Sequence, residues 1–153
     1  MLIALDPNSV IALANLGQCK GITCSLDESI ALQEKVIRLS PRDPLNGNRY
    51  HGIGFAHLLQ SRIDEAIVWL EKGCSLSPRV AFTHAHLTAA YALKGELDRA
   101  DTELAEAGRL SRDGRFLSIA RLKATGNFRV PKFLALAEAT YFVGLRKAGV
   151  PEE

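Results

Sequence analysis

Small and turn-forming residues recur along this 153-residue chain at spacings of 34 and 37 residues, and this period constrains the fold most strongly. Prolines end similar stretches at these intervals, and two series of small residues lie between them, always 12 residues apart. Such a period is typical of stacked units that pack only against their neighbours. The recurring positions are Pro7, Pro41 and Pro78; Gly17, Gly54 and Thr88; and Ser29, Ala66 and Ala100.

These positions resemble the signature of the tetratricopeptide repeat, in which each unit is a pair of antiparallel helices. The resemblance covers about residues 1–112 and implies an all-α superhelix whose small residues mark the close crossing of paired helices. It divides the chain into a remnant of a preceding repeat (1–7), three repeats (8–41, 42–78 and 79–112) and C-terminal capping helices (113–153). The chain departs from the family pattern at Ser29, Thr88 and Arg112, where alanine, glycine and proline are usual.

Apolar residues at helical spacing support the same map. Side-chain oxygens that favour helix starts come from Ser9, Ser25, Asp64 and Asp98. We predict helices at about 9–22, 26–39, 46–59, 63–76, 80–93 and 97–110. The 37-residue spacing is explained by three extra residues around positions 44–47.

The residues after Arg112 do not continue the repeat. We predict one helix from about 113 to 124, with Gly126 as its C-cap, and a second from Pro131 to about Ala148. Two interpretations stay open. The pair caps the last repeat, or its second helix folds back into the groove of the array and occupies a partner site.

The first seven residues resemble the end of a second helix followed by the proline that ends a repeat. We therefore expect the chain to begin just after most of a repeat, either as part of a longer protein or after loss of an upstream gene segment. Solenoids expose apolar surface where a capping repeat is missing. We expect this N-terminal edge to self-associate.

Charge and composition argue against several classes of protein. The net charge is +2 and the basic residues are scattered, so neither nucleic acid nor a membrane surface is an expected partner. The chain has no basic leader and no apolar stretch long enough to span a membrane. Its three cysteines form no CxxC pair and are interpreted as free thiols. We predict a cytoplasmic protein.

In tetratricopeptide proteins the first helix of each repeat lines the concave surface, and the resemblance implies a peptide-binding groove there. Some family members bind a C-terminal carboxylate with lysines, but the residues at the corresponding positions of this chain are Ala14, His51 and Ala85. We therefore expect an apolar groove suited to an amphipathic helix. The alternative is that Phe55 and Phe82 are core residues between helices. The candidate groove residues are Ile11, Gln18, Asn48, His51, Phe55, Phe82 and His86, with Ala14, Asn15, Gly52, Leu59, Ala85 and Ala89 at adjoining positions.

No pattern of catalytic, nucleotide-binding or metal-binding residues is apparent. The carboxylate pairs at 27–28 and 64–65 fall at helix starts, where they favour the helix dipole. Cys19 and Cys24 have no identifiable base. We predict no enzyme activity, no cofactor and no metal, although a cluster of His51, His86 and a carboxylate would reopen that question. The i, i+4 spacing of a helical metal pair is missing among the four histidines, which are His51, His57, His84 and His86.

We predict a non-catalytic protein–protein interaction module. The tail from Phe128 to Glu152 resembles the ends of bacterial multidomain proteins in which a repeat array follows a class III adenylate/guanylate cyclase domain or a winged-helix DNA-binding domain. That resemblance implies a regulatory part of a larger signalling protein. The alternative is a small-ligand sensor with a pocket around His51, Phe55, Phe82 and His86.

Overall fold

The computed structural model describes residues 6–153, and the regular structure in this range is helical. The first six helices form three antiparallel pairs, and their bounds agree with the predicted ranges to within one residue. The helices are α1 (Val10–Ile22), α2 (Leu26–Leu39), α3 (Asn46–Leu59), α4 (Ile63–Leu76), α5 (Ala81–Lys94), α6 (Leu97–Leu110), α7 (Ile119–Lys123), α8 (Pro131–Ala139) and α9 (Tyr141–Lys147), with 3-10 turns at Arg115–Leu117 and Gly126–Arg129.

The helix ends use only part of the predicted capping chemistry. Ser9 caps α1 by accepting a 3.4 Å hydrogen bond from the Ala12 amide, whereas the Ser25 side chain makes no such bond to α2. Asp64 and Asp98 lie inside the first turns of α4 and α6, where their charge favours the helix dipole. Gly95 ends α5 in the left-handed conformation, with φ of 89°.

The helices of each pair cross closely at the small residues. A Cβ atom on Gly54 would lie 2.6 Å from Cγ of Leu70 on the partner helix, so only glycine allows this approach. In the first pair the family's usual alanine is Ser29, whose hydroxyl donates a 2.6 Å hydrogen bond to the Gly17 carbonyl. The buried hydroxyl is therefore satisfied, and the departure from the family pattern is accommodated.

The longer spacing between the first two repeats arises mainly in the loop that joins them. This loop has six residues (40–45), whereas the equivalent loop between α4 and α5 has four (77–80). The buried Asn46 amide donates to the Ser40 carbonyl at 2.9 Å, and Arg49 donates to Asn46 at 2.9 Å. Arg49 also pairs with Asp43 at 3.0 Å. The insertion is thus held by a compact polar network.

The predicted helix at 113–124 is wrong in detail. The chain instead forms the Arg115–Leu117 turn followed by the short helix α7. The α7 amides of Ile119 and Ala120 donate to the carbonyls of Pro151 and Glu152, each at 2.9 Å. Gly126 adopts φ of 54°, but it opens the second 3-10 turn and does not cap α7.

The predicted helix at 131–148 begins at Pro131 as expected but breaks at Thr140. Thr140 leaves the helical region with φ of −134° and ψ of −75°. The break redirects α9 so that Gly144 lies against Ala89 of α5.

One apolar core extends from Leu26 on α2 to Val150 near the C-terminus. The C-terminal segment therefore packs continuously with the repeats. Residues 1–5, which carry most of the predicted remnant of a preceding repeat, lie outside the described residues. Within residues 6–153, the helices are too short or too polar to cross a membrane.

Candidate functional site

A concave cavity of about 600 Å³ lies along the first helices of the three pairs, α1, α3 and α5. These helices face it because the small residues at each crossing stack the pairs in the same orientation. Loops of the C-terminal segment close its far end. All of the predicted groove residues line this space: Ile11, Gln18, Asn48, His51, Phe55, Phe82 and His86.

Stacked aromatic rings form the floor of the cavity. The Phe55 and His86 rings are parallel, with centroids 3.8 Å apart, and the His51 ring also stacks with His86, with centroids 4.7 Å apart. Phe55 also meets Tyr141 of α9 edge to face at 5.5 Å. Phe82 contacts Phe116 in the same way at 5.3 Å. Phe55 and Phe82 therefore belong to the core packing and to the cavity lining at once.

The two imidazoles in this floor are uncharged at neutral pH. Burial lowers the pKa of His51 to about 4. Burial and then the neighbouring His51 lower the pKa of His86 well below its ordinary value. His51 Nδ1 lies 2.9 Å from the Thr83 hydroxyl, which fixes its ring. The floor is therefore apolar and neutral, without a cationic grip for a carboxylate at these positions.

Two arginines also line the cavity, and neither was among the predicted groove residues. Arg49 is buried and is paired with Asp43. Arg115 lies over the Phe82 ring, with Cζ 5.3 Å from its centroid, and its Nε bonds Asp113 at 2.8 Å. Arg49 sits beside Asn48 on α3, but no spacing pattern distinguishes it from a surface arginine.

Three polar atoms of the cavity lining are buried without a hydrogen-bond partner among the described residues. They are Oε1 of Gln33, Nε of Arg49 and Nδ1 of His86. An unpaired buried polar atom is costly, so a bound group that reached these atoms would be favoured.

The C-terminal segment covers part of the predicted groove. Ala85 and Ala89 of α5 were predicted to line it, but both are fully buried and neither lines the cavity. Ala89 is covered because α9 packs against it through Gly144. Phe128 and Phe133 from the same segment contribute side chains to the cavity wall. The segment thus both caps the third helix pair and forms one end of the groove.

Most of the carboxylates considered for catalysis have structural explanations. Asp27 pairs with Arg62 at 3.5 Å, and Asp64 pairs with Lys94 at 3.0 Å. Burial, followed by the charges of Glu103 and Glu71, raises the pKa of the Cys74 thiol to about 12, which argues against a free nucleophile. A cluster of His51, His86 and a carboxylate, which would reopen the question of metal or enzyme chemistry, is not found among residues 6–153.

No protein-family model and no curated protein matches this chain. Solved structures do match it over nearly its whole length. MamA is 20% identical with a TM-score of 0.67, over 97% of this chain and 82% of that one. The Yersinia enterocolitica type III secretion chaperone SycD, solved with a peptide of the translocator YopD, is 16% identical with a TM-score of 0.64, over 92% of both chains. YrrB, described as a TPR protein with an unusual peptide-binding site, is 16% identical with a TM-score of 0.61, over 94% of this chain and 72% of that one.

At these identities the likeness concerns the fold. The chain has a tetratricopeptide-type helical superhelix, and this part of the prediction is confirmed. Its structural neighbours are tetratricopeptide-repeat proteins.

Proposed function

We propose that this chain is a non-catalytic protein-interaction module whose concave cavity binds an apolar peptide segment, such as one face of an amphipathic helix. The observation that carries the proposal is the cavity of about 600 Å³ along α1, α3 and α5. Ile11, Phe55 and Phe82 supply apolar surface from three successive helix pairs. Side chains at successive turns of a helical peptide can reach such spaced positions.

The polar groups around this apolar floor favour a neutral peptide face over a terminal carboxylate. Exposed amides of Asn15, Gln18, Asn48 and Asn127 stand at its edges. Amides can bond the backbone or polar side chains of a bound segment without imposing a charge. The two lining arginines already face Asp43 and Asp113. SycD and YrrB, whose descriptions mention a peptide or a peptide-binding site, support the proposal by analogy of fold.

The second candidate is a small-ligand sensor that uses the same cavity. The observation in its favour is the set of unpartnered buried atoms on Gln33, Arg49 and His86, counted among the described residues. A volume of about 600 Å³ also falls within the roughly 300–1,000 Å³ typical of ligand pockets. A compact ligand with both donors and acceptors would satisfy these atoms.

The test is selection of peptides from a displayed library of amphipathic 15-residue sequences, followed by titration of the best binder. Ile11→Ala and Gln18→Ala change exposed lining residues and should each weaken binding about tenfold, or roughly 1.4 kcal/mol. The matched control is Val68→Ala, because Val68 is an exposed apolar residue (51% exposed) outside the cavity lining. Equal effects of all three substitutions would place binding elsewhere on the protein.

A thermal-shift screen of small polar molecules separates the two candidates. A hit that raises the melting temperature and competes with the selected peptide shows that both share the cavity. A small-molecule hit, combined with a library selection that yields no peptide binder, would favour the small-ligand sensor.

Other parts of the sequence analysis stay predictions. The link of the tail to a cyclase or winged-helix protein rests on the sequence resemblance of residues 128–152 alone. The division at 8–112 and 113–153, the cytoplasmic location and self-association through the N-terminal edge are proposals of the same standing.

A further inference from the structure

Three potential metal ligands converge between α4, α5 and α6, outside the lining of the concave cavity. Cys74 lies near the end of α4, His84 in the first turn of α5 and Glu103 in the middle of α6. Their ligand atoms all lie within 4.8 Å of one another. His84 Nδ1 is 2.6 Å from Glu103 Oε2 and 3.9 Å from Cys74 Sγ.

The other ring nitrogen of His84 is held in place by the backbone. Nε2 lies 2.9 Å from the Pro78 carbonyl oxygen, which can only accept, so Nε2 carries a proton and donates it. At 2.6 Å a proton lies between Nδ1 and the Glu103 carboxylate, and once that proton is removed Nδ1 offers a lone pair towards Cys74 and Glu103. Histidines that bind metals typically donate their second N–H to a carbonyl or carboxylate in this way.

An ion pair would explain why His84 and Glu103 lie together, but it does not explain why the Cys74 thiol lies beside them. Sγ of Cys74 lies 3.9 Å from Nδ1 and within 4.8 Å of the carboxylate ligand atom, although a thiol is a poor hydrogen-bond partner. A cation would use all three groups. On binding it would release to water both the thiol proton and the proton between Nδ1 and the carboxylate, and the thiolate and carboxylate would balance its charge.

The ligand types identify the class of cation. Ca²⁺ and Mg²⁺ prefer shells of oxygen, whereas one sulfur, one imidazole and one carboxylate suit Zn²⁺. We propose that Cys74, His84 and Glu103 bind Zn²⁺, with water at the fourth position. Zn²⁺ bonds of about 2.0–2.3 Å in a tetrahedron separate neighbouring ligand atoms by about 3.3–3.6 Å. To reach this geometry the carboxylate must move about 0.7 Å away from Nδ1. Sγ must move closer to both groups, because it lies 3.9 Å from Nδ1 in a cluster whose ligand atoms are up to 4.8 Å apart.

The site is accessible and would join two repeats. The Glu103 side chain is 23% exposed and that of His84 is 11% exposed, so the cation and its water reach the site from the Glu103 side. Because α4 belongs to the second helix pair and α5 and α6 to the third, bound Zn²⁺ would stabilise the interface between them.

The test uses the full chain freed of metal with a chelator and then titrated with Co²⁺, a spectroscopic substitute for Zn²⁺. We expect one Co²⁺ per chain with a thiolate-to-metal charge-transfer band, displacement by Zn²⁺, and a higher melting temperature with either ion. Cys74→Ser should abolish the band, and Glu103→Gln should weaken Zn²⁺ binding by more than the roughly 10- to 100-fold that loss of an outer-shell partner costs. Circular dichroism of each variant checks that it remains folded.

Cys19→Ser is the matched control, because Cys19 is an exposed free thiol on α1. It should leave the band and the affinity unchanged. A band that survives Cys74→Ser, or no saturable thiolate band in the unsubstituted protein, would overturn the proposal.

Discussion

The rings of Phe55 and His86 stack in parallel, 3.8 Å between centroids, and join the second and third helix pairs at the floor of the concave cavity. The Phe55 ring also packs edge to face against the rings of Phe133 and Tyr141 in the C-terminal segment, with centroids 6.0 and 5.5 Å away. Three parts of the chain therefore meet at one half-buried ring. The same contact supports the fold and shapes the candidate binding surface.

Phe55→Ala should consequently affect stability as well as binding. Complete loss of a core phenylalanine costs about 3–5 kcal/mol, and we expect the lower end of this range because Phe55 is only partly buried. Urea denaturation followed by circular dichroism measures the change. Asn48→Ala, which alters an exposed lining residue of the same helix, should change the free energy of unfolding by less than about 0.5 kcal/mol. Similar stabilities for the two variants would contradict the packing role of Phe55.

Stability should fall between pH 6.5 and 4 because of His51. Burial lowers its pKa in the folded protein from 6.5 to about 4. As the pH falls through this window, the unfolded chain takes up a proton that the folded chain does not. The free energy of unfolding is therefore highest above pH 6.5 and decreases towards pH 4. The loss is at most about 3 kcal/mol.

The measurement is the free energy of unfolding at pH 7.5 and 4.5 for the wild type and for His51→Asn, which can keep a hydrogen bond to Thr83. The substitution should reduce the difference between the two pH values. An unchanged difference would show that other groups cause the acid sensitivity.

Two glycines of α3 should respond to alanine in opposite directions. At Gly54 a Cβ would lie 2.6 Å from Leu70 Cγ and 3.0 Å from the Leu70 backbone nitrogen, so Gly54→Ala should separate α3 from α4 and cost about 1–3 kcal/mol. A Cβ at Gly52 would meet nothing within 4 Å. Gly52→Ala should therefore stabilise the helix by up to about 1 kcal/mol. Melting temperatures of the two variants check both signs, and a stabilising Gly54→Ala would refute the close crossing.

Gly144→Ala should loosen the C-terminal segment from the third repeat. Its Cβ would lie 2.5 Å from the Ala89 carbonyl oxygen and 2.7 Å from the Ala89 Cα, and backbone atoms cannot move aside easily. We expect faster amide hydrogen exchange in α9 and faster protease cleavage in the segment that follows residue 139. Gly108→Ala on α6, where a Cβ has open space, is the control and should leave exchange in α9 unchanged. Normal protection of α9 in the Gly144 variant would argue against tight docking.

The repeat region could be predicted closely because its determinants are local. The period that relates Gly17, Gly54 and Thr88 fixes where helices cross, and apolar spacing within about 14 residues fixes where they begin and end. The candidate groove residues followed from the same period, since equivalent positions of stacked repeats face the same side. All seven selected residues line the cavity, although their binding role stays a proposal.

The C-terminal segment was predicted less well because its shape depends on distant contacts. The break at Thr140 follows no helix-breaking proline or glycine at that position. It directs α9 onto Ala89, some 50 residues earlier in the chain, and no local pattern records that contact. The same contact explains why Ala89, correctly placed by the period, is buried and does not line the groove.

The helix pairs and the side of each helix that faces the concave surface could be predicted from residue types alone, because periodicity and residue size act within one repeat. The closing of the groove by the C-terminal segment, the presence of Arg49 and Arg115 in its lining, and the approach of Cys74, His84 and Glu103 became visible only in the folded protein. Each of these depends on side chains far apart in sequence, whose approach is set by the packing of whole helices and not by any spacing along the chain.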